Sequence, residues 1–98
     1  MAKLTTVYWR DIPAQVIARE RRDTAKLLLT ERFAEAIDKA AMRAKMAGTD
    51  AYLEQWRREV VNCGRDLQAV VDAAAAELEQ TYDDARLETL VSSGGLES

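Results

Sequence analysis

The residues best suited to binding chemistry form a basic and aromatic cluster near the start of the sequence. It comprises Tyr8, Trp9, Arg10, Arg19, Arg21, Arg22 and Lys26. Arginine binds carboxylate and phosphate groups through paired hydrogen bonds, and arginine and aromatic side chains together are typical of binding hot spots. Two interpretations stay open: a binding site for an anionic group, or a charged sheet face that protects an exposed edge from aggregation.

Two other groups of residues are weaker candidates. Cys63 precedes a helix that we predict to begin near Asp66, and a helix N-terminus favours a thiolate. With no second cysteine or neighbouring base, we expect an inert, packed thiol. Four carboxylates between residues 77 and 84 lack the spacing of a calcium loop and are typical of a solvated helix face. We therefore expect no metal site.

The composition excludes several classes of catalytic and metal-binding site. The 98 residues include no histidine and one cysteine, which excludes histidine-based catalysis and the usual zinc and haem ligand sets. No catalytic motif is recognisable, so we expect no catalytic residue and no cofactor. The chain has no apolar run long enough to span a bilayer and no leader pattern before Lys3, so we expect a cytoplasmic protein without a membrane partner.

Charge is distributed unevenly between the two halves of the sequence. The first 48 residues carry ten Lys/Arg and six Asp/Glu, whereas the remainder carries four and eleven. Either the two halves attract each other within the fold, or the basic half meets an acidic partner. A net charge of −3 lacks the dense basic footprint of a nucleic-acid binder. We expect another protein as partner, in a hetero-complex or a homo-oligomer.

The elements that must position the cluster begin with a β-hairpin. Leu4–Arg10 is rich in β-branched and aromatic residues, and Gln15–Arg21 alternates with period two, so both are predicted strands. The predicted turn is Asp11–Ala14, because proline fixes its own φ and favours an extended residue before it.

Strand alternation also predicts which side chains of the hairpin reach solvent. Ile17, Arg19 and Arg21 share one face. We predict that this face points outward, leaving an apolar centre flanked by guanidinium groups that suits an acidic, partly apolar partner. Trp9, with the largest apolar area of the first strand, is predicted to lie inward.

A helix is predicted from its N-cap at Thr30 to a stop at Gly48. Its apolar stripe, predicted to pack on the hairpin, consists of Phe33, Ile37, Ala40, Ala41 and Ala44. Met42 and Met46 lie on the opposite side, where either another part of the chain or another protein covers them.

The second half predicts mostly helices. One begins near Thr49 or Asp50 and runs through Trp56, and the residues near 60–63 form either a frayed helix end or a third short strand. A long helix follows Asp66. Three apolar residues further on do not continue the apolar stripe of this helix, namely Leu87, Leu90 and Val91. Either the helix breaks at Asp83 or these residues face a partner. Residues 92–98 are a predicted frayed tail.

These elements predict an α+β fold in one small domain spanning residues 1–98. An N-terminal antiparallel hairpin, with or without a third short strand near 60–63, packs against three to four helices. The alanine-rich composition predicts a thin core, which a partner surface would support.

Three stretches of the sequence resemble a small bacterial domain family called "virulence factor", similar to the domain of conserved virulence factor C proteins: VYWRDIPAQVIARERR, ERFAEAIDKAAMRAKMAGTDAYLEQWRR and YDDARLETLVSSGG. The resemblance runs from about Val7 to Gly95. It implies no reaction or catalytic residue, because the name describes a phenotype. Stand-alone members look like neighbours of genes for methylenetetrahydrofolate reductase-like and corrinoid methyltransferase-like proteins, which implies a link to one-carbon metabolism.

Two functional hypotheses follow. The first is a non-catalytic interaction module or small accessory subunit of a larger enzyme, indicated by the off-stripe methionines, the out-of-phase leucines and the thin core. The second is a binder, or minor enzyme, of an anionic small molecule such as a folate or nucleotide. In that hypothesis Arg19, Arg21 and Arg22 hold the anion and Trp9 stacks on it.

Overall fold

The computed structural model describes residues 2–46 and 48–96, which form a four-stranded antiparallel sheet with four helices. The strands are β1 (Lys3–Trp9), β2 (Ile12–Glu20), β3 (Asp23–Leu28) and β4 (Trp56–Asn62). The helices are α1 (Glu31–Arg43), α2 (Asp50–Glu54), α3 (Leu67–Thr81) and α4 (Asp84–Ser92). The strand order is β3-β2-β1-β4. The predicted α+β class and the N-terminal hairpin are confirmed.

The turn of the hairpin is shorter than predicted. It consists of Arg10 and Asp11, and Arg10 adopts the left-handed conformation with φ of 54°. Pro13 lies inside β2, where the register shifts: Val7 pairs with Gln15 and Tyr8 with Pro13, so the residue between them is unpaired. The predicted turn at Asp11–Ala14 is wrong because a β-bulge accommodates the proline within the strand.

Two strands were underestimated by the sequence pattern. β3 was not predicted, because only Ala25 and Leu27 of its six residues are partly buried and its composition favours no single structure. β4 begins at Trp56, four residues before the predicted short strand, and the preceding helix ends at Glu54. All seven residues of β4 are exposed, so the strand has no alternation of buried and exposed positions that its sequence could reflect.

Helix α1 starts where predicted and ends early. Thr30 occupies the N-cap position, and the stripe from Phe33 to Ala41 is buried as predicted. The helix ends at Arg43 rather than Gly48, because Lys45 already adopts the left-handed conformation with φ of 60°. α1 packs against β2 and α4.

The C-terminal helices resolve an open alternative. α3, which packs across β2 and β3, is capped by Asp66, and Asp83 caps α4 by accepting a hydrogen bond from the Arg86 N–H at 2.9 Å. Leu87 and Leu90 are only 4% and 2% exposed and belong to the core cluster. The helix therefore breaks at Asp83, and the out-of-phase leucines do not face a partner.

The predicted frayed tail is wrong in its first part. Ser92 still belongs to α4, Gly94 and Gly95 are buried, and the Asp11 N–H donates to the Gly95 carbonyl at 2.8 Å. The last two residues of the predicted tail, 97 and 98, lie outside the described residues. Within ranges 2–46 and 48–96, no helix has the length and apolarity needed to cross a membrane.

Candidate functional site

The sheet presents a solvent-facing side that we call the outer face. Val16 and Ala18 are fully buried, so the alternate residues of β2 lie on the other side of the sheet, and the pairing carries this assignment to the other three strands. The outer face consists of Lys3, Thr5, Val7, Gln15, Ile17, Arg19, Thr24, Lys26, Leu28, Trp56, Arg58, Val60 and Asn62. The predicted outward position of Ile17 and Arg19 is confirmed.

The outer face carries four cations and no carboxylate. The cations come from all four strands: Lys3, Arg19, Lys26 and Arg58. The five ion pairs found among the described residues involve Arg32, Arg57 and Arg65 instead. The charge of the outer face is therefore uncompensated within the part of the chain that the structure describes, and the two charged halves of the sequence do not neutralise each other on this face.

A basic cleft of about 320 Å³ lies at one end of the outer face. Its lining consists of Lys3, Thr5, Ile17, Arg19, Arg21 and Arg58. Arg19 and Arg21, predicted as site residues, meet here around an apolar floor. Arg58 was missed by the sequence analysis, because its place depends on the phase and bounds of β4. The run of Arg57, Arg58 and two valines was the available signal.

A second cleft of about 290 Å³, the aromatic cleft, adjoins the basic cleft. It is lined by Val7, Gln15, Trp56, Arg57 and Arg58, so Arg58 belongs to both clefts. The side-chain oxygen of Gln15 is buried without a hydrogen-bond partner within ranges 2–46 and 48–96. An unpaired buried polar atom costs about 1 to 3 kcal/mol, so a donor placed in this cleft would recover part of that cost.

Trp9 does not belong to the site. Its ring is 0% exposed and stacks on Tyr52 at 5.6 Å between centroids, and its Nε1 donates to the Tyr52 carbonyl at 2.9 Å. Gly95 covers the other part of the ring: with φ of 93°, a Cβ there would lie 2.7 Å from a Trp9 ring carbon. Trp9 is buried as predicted, which excludes stacking on a ligand, although its pairing with Trp56 continues the row of Thr5 and Val7 on β1. The aromatic residue that lines a cleft is Trp56.

Arg10 is a structural residue. Its guanidinium donates to the Gln55 side chain at 3.2 Å, the Gly94 carbonyl at 3.0 Å and the Met46 sulfur at 3.1 Å. These bonds use the groups with which a binding arginine would hold an anion. Met46 accepts this bond and packs against the core, so another part of the same protein covers it. Both predicted site residues belong to the support of the hairpin tip.

Tyr8 lies on the inner side of the sheet, away from both clefts. The Arg57 guanidinium sits 4.3 Å from its ring, and burial raises the pKa of its phenol. Burial opposes the charge of Arg57, but hydrogen bonds to Glu59 and Asp11 outweigh it, so the pKa of the guanidinium is raised. Tyr8 and Arg57 therefore help hold β1 and β4 together, and Tyr8 lines neither cleft.

The two remaining predicted residues lie outside both clefts. Arg22 is exposed in the turn between β2 and β3 and lines neither of them. Met42 is 60% exposed on α1 and contributes to no described cavity. The prediction thus combined residues from three places: the outer face, the hairpin tip and the surface of α1.

The other cavities are weaker candidates for a binding site. A cavity of about 550 Å³ lies between α1 and α4 and mixes acidic and basic side chains; its Arg32 is already bound to Glu79 and to the Tyr82 carbonyl. Within the described ranges, no group of three or more Cys, Asp or Glu side chains is arranged to hold a metal ion. The outer face remains the best candidate site.

The architecture and the site define a small α+β domain with an open, cationic sheet face. A family model described as "Virulence factor" matches residues 7–91, and the chain belongs to this family. No curated protein and no solved structure matches the chain.

Proposed function

We propose that this domain is a non-catalytic interaction module, acting as a small accessory subunit that docks an acidic partner protein on its outer face. The observation that carries the proposal is the charge pattern of that face: each strand contributes one lysine or arginine, and no strand contributes a carboxylate. Side chains arranged in this way favour a partner of opposite charge and speed its association.

The apolar residues of the outer face supply the rest of the interface. Ile17 and Thr5 form the floor of the basic cleft, and Trp56 lines the aromatic cleft next to Arg58. Arginine and tryptophan around an apolar centre are typical of interface hot spots. The buried oxygen of Gln15 adds one acceptor for a partner's donor.

The support comes from the sheet and not from the helices. The out-of-phase leucines and Met46 pack within the chain, so two features that first indicated a partner no longer do so. Met42 and Leu28, at 60% and 68% exposed, are the large apolar side chains that stay open on α1 and β3. Leu28 belongs to the outer face, which supports an interface there.

The test is a double charge reversal, Arg19→Glu with Arg21→Glu, compared with Lys39→Glu and Arg43→Glu on α1. Both doubles change the net charge by the same amount at exposed positions. Partners retained by the wild-type protein in its native cell are identified by mass spectrometry and then purified. We expect the Arg19/Arg21 variant to lose the partner and the α1 variant to keep it, with binding that weakens at high salt.

Folding is measured alongside binding. Exposed charges contribute about 0 to 1 kcal/mol, so we expect the thermal midpoint of the Arg19/Arg21 variant to stay near that of the wild type. A variant that folds and still binds the partner would place the interface elsewhere. A variant that unfolds would show that these arginines are structural.

A second function is favoured by the volume of the basic cleft. A space of about 320 Å³ with four cations is large enough for a small anion such as a folate or nucleotide. A link to one-carbon metabolism, implied by the family resemblance, makes a folate the first ligand to test. Titration calorimetry with folate, ATP and inorganic phosphate separates the two functions: a micromolar isotherm that is lost in the Arg19→Ala/Arg21→Ala variant would favour the small-molecule binder.

A further inference from the structure

The free edge of β4 is the feature from which a further inference can be drawn. β4 is the last strand in the order β3-β2-β1-β4 and pairs with β1 alone. Its seven residues are all exposed, and Val60 and Val61 are each 57% exposed. An edge strand of this length offers unpaired N–H and C=O groups to any extended segment.

The hydrogen bonds that flank β4 show which backbone groups are free. The Cys63 N–H donates to the Ala2 carbonyl and the Arg10 N–H to the Gln55 carbonyl, both at 3.1 Å. Hydrogen-bonded pairs alternate along an antiparallel ladder, so the odd-numbered residues of β4 bond to β1. The backbone groups that point to the free edge therefore belong to Trp56, Arg58, Val60 and Asn62.

This edge lacks two common protections against pairing, a bulge and a proline. The β1–β4 register is continuous from Lys3–Asn62 to Trp9–Trp56, with no bulge and no proline in β4. Arg57 and Glu59 form an ion pair with each other, so they do not repel a second strand. Arg58 alone carries an uncompensated charge on this strand.

We propose that a second copy of this chain pairs with β4 across a two-fold axis, joining two sheets into one of eight strands. A two-fold axis perpendicular to the sheet keeps each face on its own side, so the axis must lie midway between the two copies of one residue. Centring on Arg58 sets two arginines opposite each other, and centring on Glu59 sets two glutamates opposite each other. Like charges directly opposite are unfavourable.

Centring on Val60 avoids both repulsions. The two Val60 side chains then face each other on the outer face, Glu59 lies opposite Val61, and Arg58 lies opposite the Asn62 side chain. Because the Val60 backbone points to the free edge, the central pair is hydrogen-bonded. Residues 58, 60 and 62 form about six backbone hydrogen bonds in all, since each such pair makes two.

The dimer buries less than the roughly 1,200 to 2,000 Å² of a typical stable interface, so we expect a weak, concentration-dependent dimer. It also brings two cationic outer faces side by side. Salt screens that repulsion, so we expect dimerisation to strengthen as salt is added. Docking of an acidic partner has the opposite salt dependence, which keeps the two proposals distinguishable.

The first test compares Val60→Pro with Val60→Thr by sedimentation velocity up to about 1 mM protein. Proline removes a donor that faces the free edge and not β1, and proline is tolerated there. Threonine keeps the donor and the β-branched shape. We expect the threonine variant to dimerise like the wild type and the proline variant to bind at least about tenfold more weakly.

A crosslinking test keeps the proposal falsifiable if the proline variant does not fold. In a Cys63→Ser background, Val60→Cys sets two thiols opposite each other at a Cα separation of about 5.5 Å, within the range of a disulfide. Val61→Cys is the matched control, because that residue faces Glu59 of the second copy. Fast covalent dimer formation with Val60→Cys alone supports the proposal. A wild type that is monomeric at about 1 mM, or equal crosslinking of both variants, overturns it.

Discussion

The two ends of the β1–β2 hairpin carry the same residue types and use them differently. At the tip, Arg10 and Trp9 are enclosed by groups from distant parts of the chain, including the Gly94 carbonyl and Gln55. At the open end, Arg19 and Lys3 have no carboxylate partner among the described residues. The residue type therefore does not decide the role of an arginine; the acceptors that the fold brings to it do.

The same comparison extends to Arg32. Its guanidinium donates to the Glu79 and Tyr82 carbonyls at 2.6 Å each and pairs with the Glu79 carboxylate at 2.9 Å. Arg32 thus joins the start of α1 to the break between α3 and α4, as Arg10 joins the hairpin tip to the segment after α4. Both arginines hold elements together, whereas Arg19, Arg21 and Arg58 form no ion pair among the described residues.

The largest expected effect is at the hairpin tip. Trp9→Ala removes a fully buried ring that fills the space between Tyr52 and Gly95, and we expect a loss of about 3 to 5 kcal/mol in the free energy of unfolding. Trp56→Ala, on the outer face side, is the control and should cost much less. Urea denaturation measures both. Equal losses would show that the enclosed and open regions do not differ as described.

A smaller effect is expected from the enclosed arginine. Arg10→Ala removes three side-chain hydrogen bonds and leaves the Gly94 carbonyl without its partner, so we expect a loss of about 2 kcal/mol. Arg19→Ala should change stability by less than about 0.5 kcal/mol. If both substitutions cost the same, the distinction between a structural and an available arginine fails.

The smallest effect depends on pH. The Glu79 carboxylate is partly buried, which raises its pKa, but hydrogen bonds from Thr30 and Arg32 outweigh this and lower the pKa below its ordinary value of 4.5. A lowered pKa means that the carboxylate stabilises the fold above about pH 4.5, and that this contribution is lost as pH falls through the lowered value. We expect a small contribution, within the roughly 0 to 1 kcal/mol typical of solvent-screened ion pairs.

The measurement is the free energy of unfolding of wild type and Glu79→Gln between neutral and acidic pH. The variant should be less stable at neutral pH and approach the wild type below about pH 4.5. A gap that stays constant with pH would show that the Arg32–Glu79 pair contributes no charge-dependent stability.

Sequence patterns predicted those parts of the fold that have one buried side. The stripe of α1, the helix start at Asp66 and the outward position of Ile17 follow from periodicity and local capping, whereas the break at Asp83 was one of two open alternatives. β3 was not predicted, and β4 was predicted too short. Both strands bury too few residues to require an apolar pattern in the sequence. Arg58 was missed for the same reason, since its position depends on pairing between β1 and a strand some fifty residues away.

The role of Arg10 was not accessible from the sequence either. Its acceptors lie 36, 45 and 84 residues away, and no local rule predicts that they converge. Strand alternation predicted the outward position of Arg19, whereas Arg21 lies in the turn after β2 and lines the basic cleft from there. Local periodicity thus identified the open end of the hairpin, and only long-range packing distinguishes it from the closed end.

The contact between Trp9 and Gly95 has a consequence for synthesis on the ribosome. The tip of the first hairpin finds the Gly94 carbonyl and the glycine that covers its tryptophan only when residues 94 and 95 have emerged. The early strands can pair locally before that, but the Trp9 ring stays partly uncovered until then. The hairpin tip therefore completes its native structure late, in a step that closes the first and last described segments on each other.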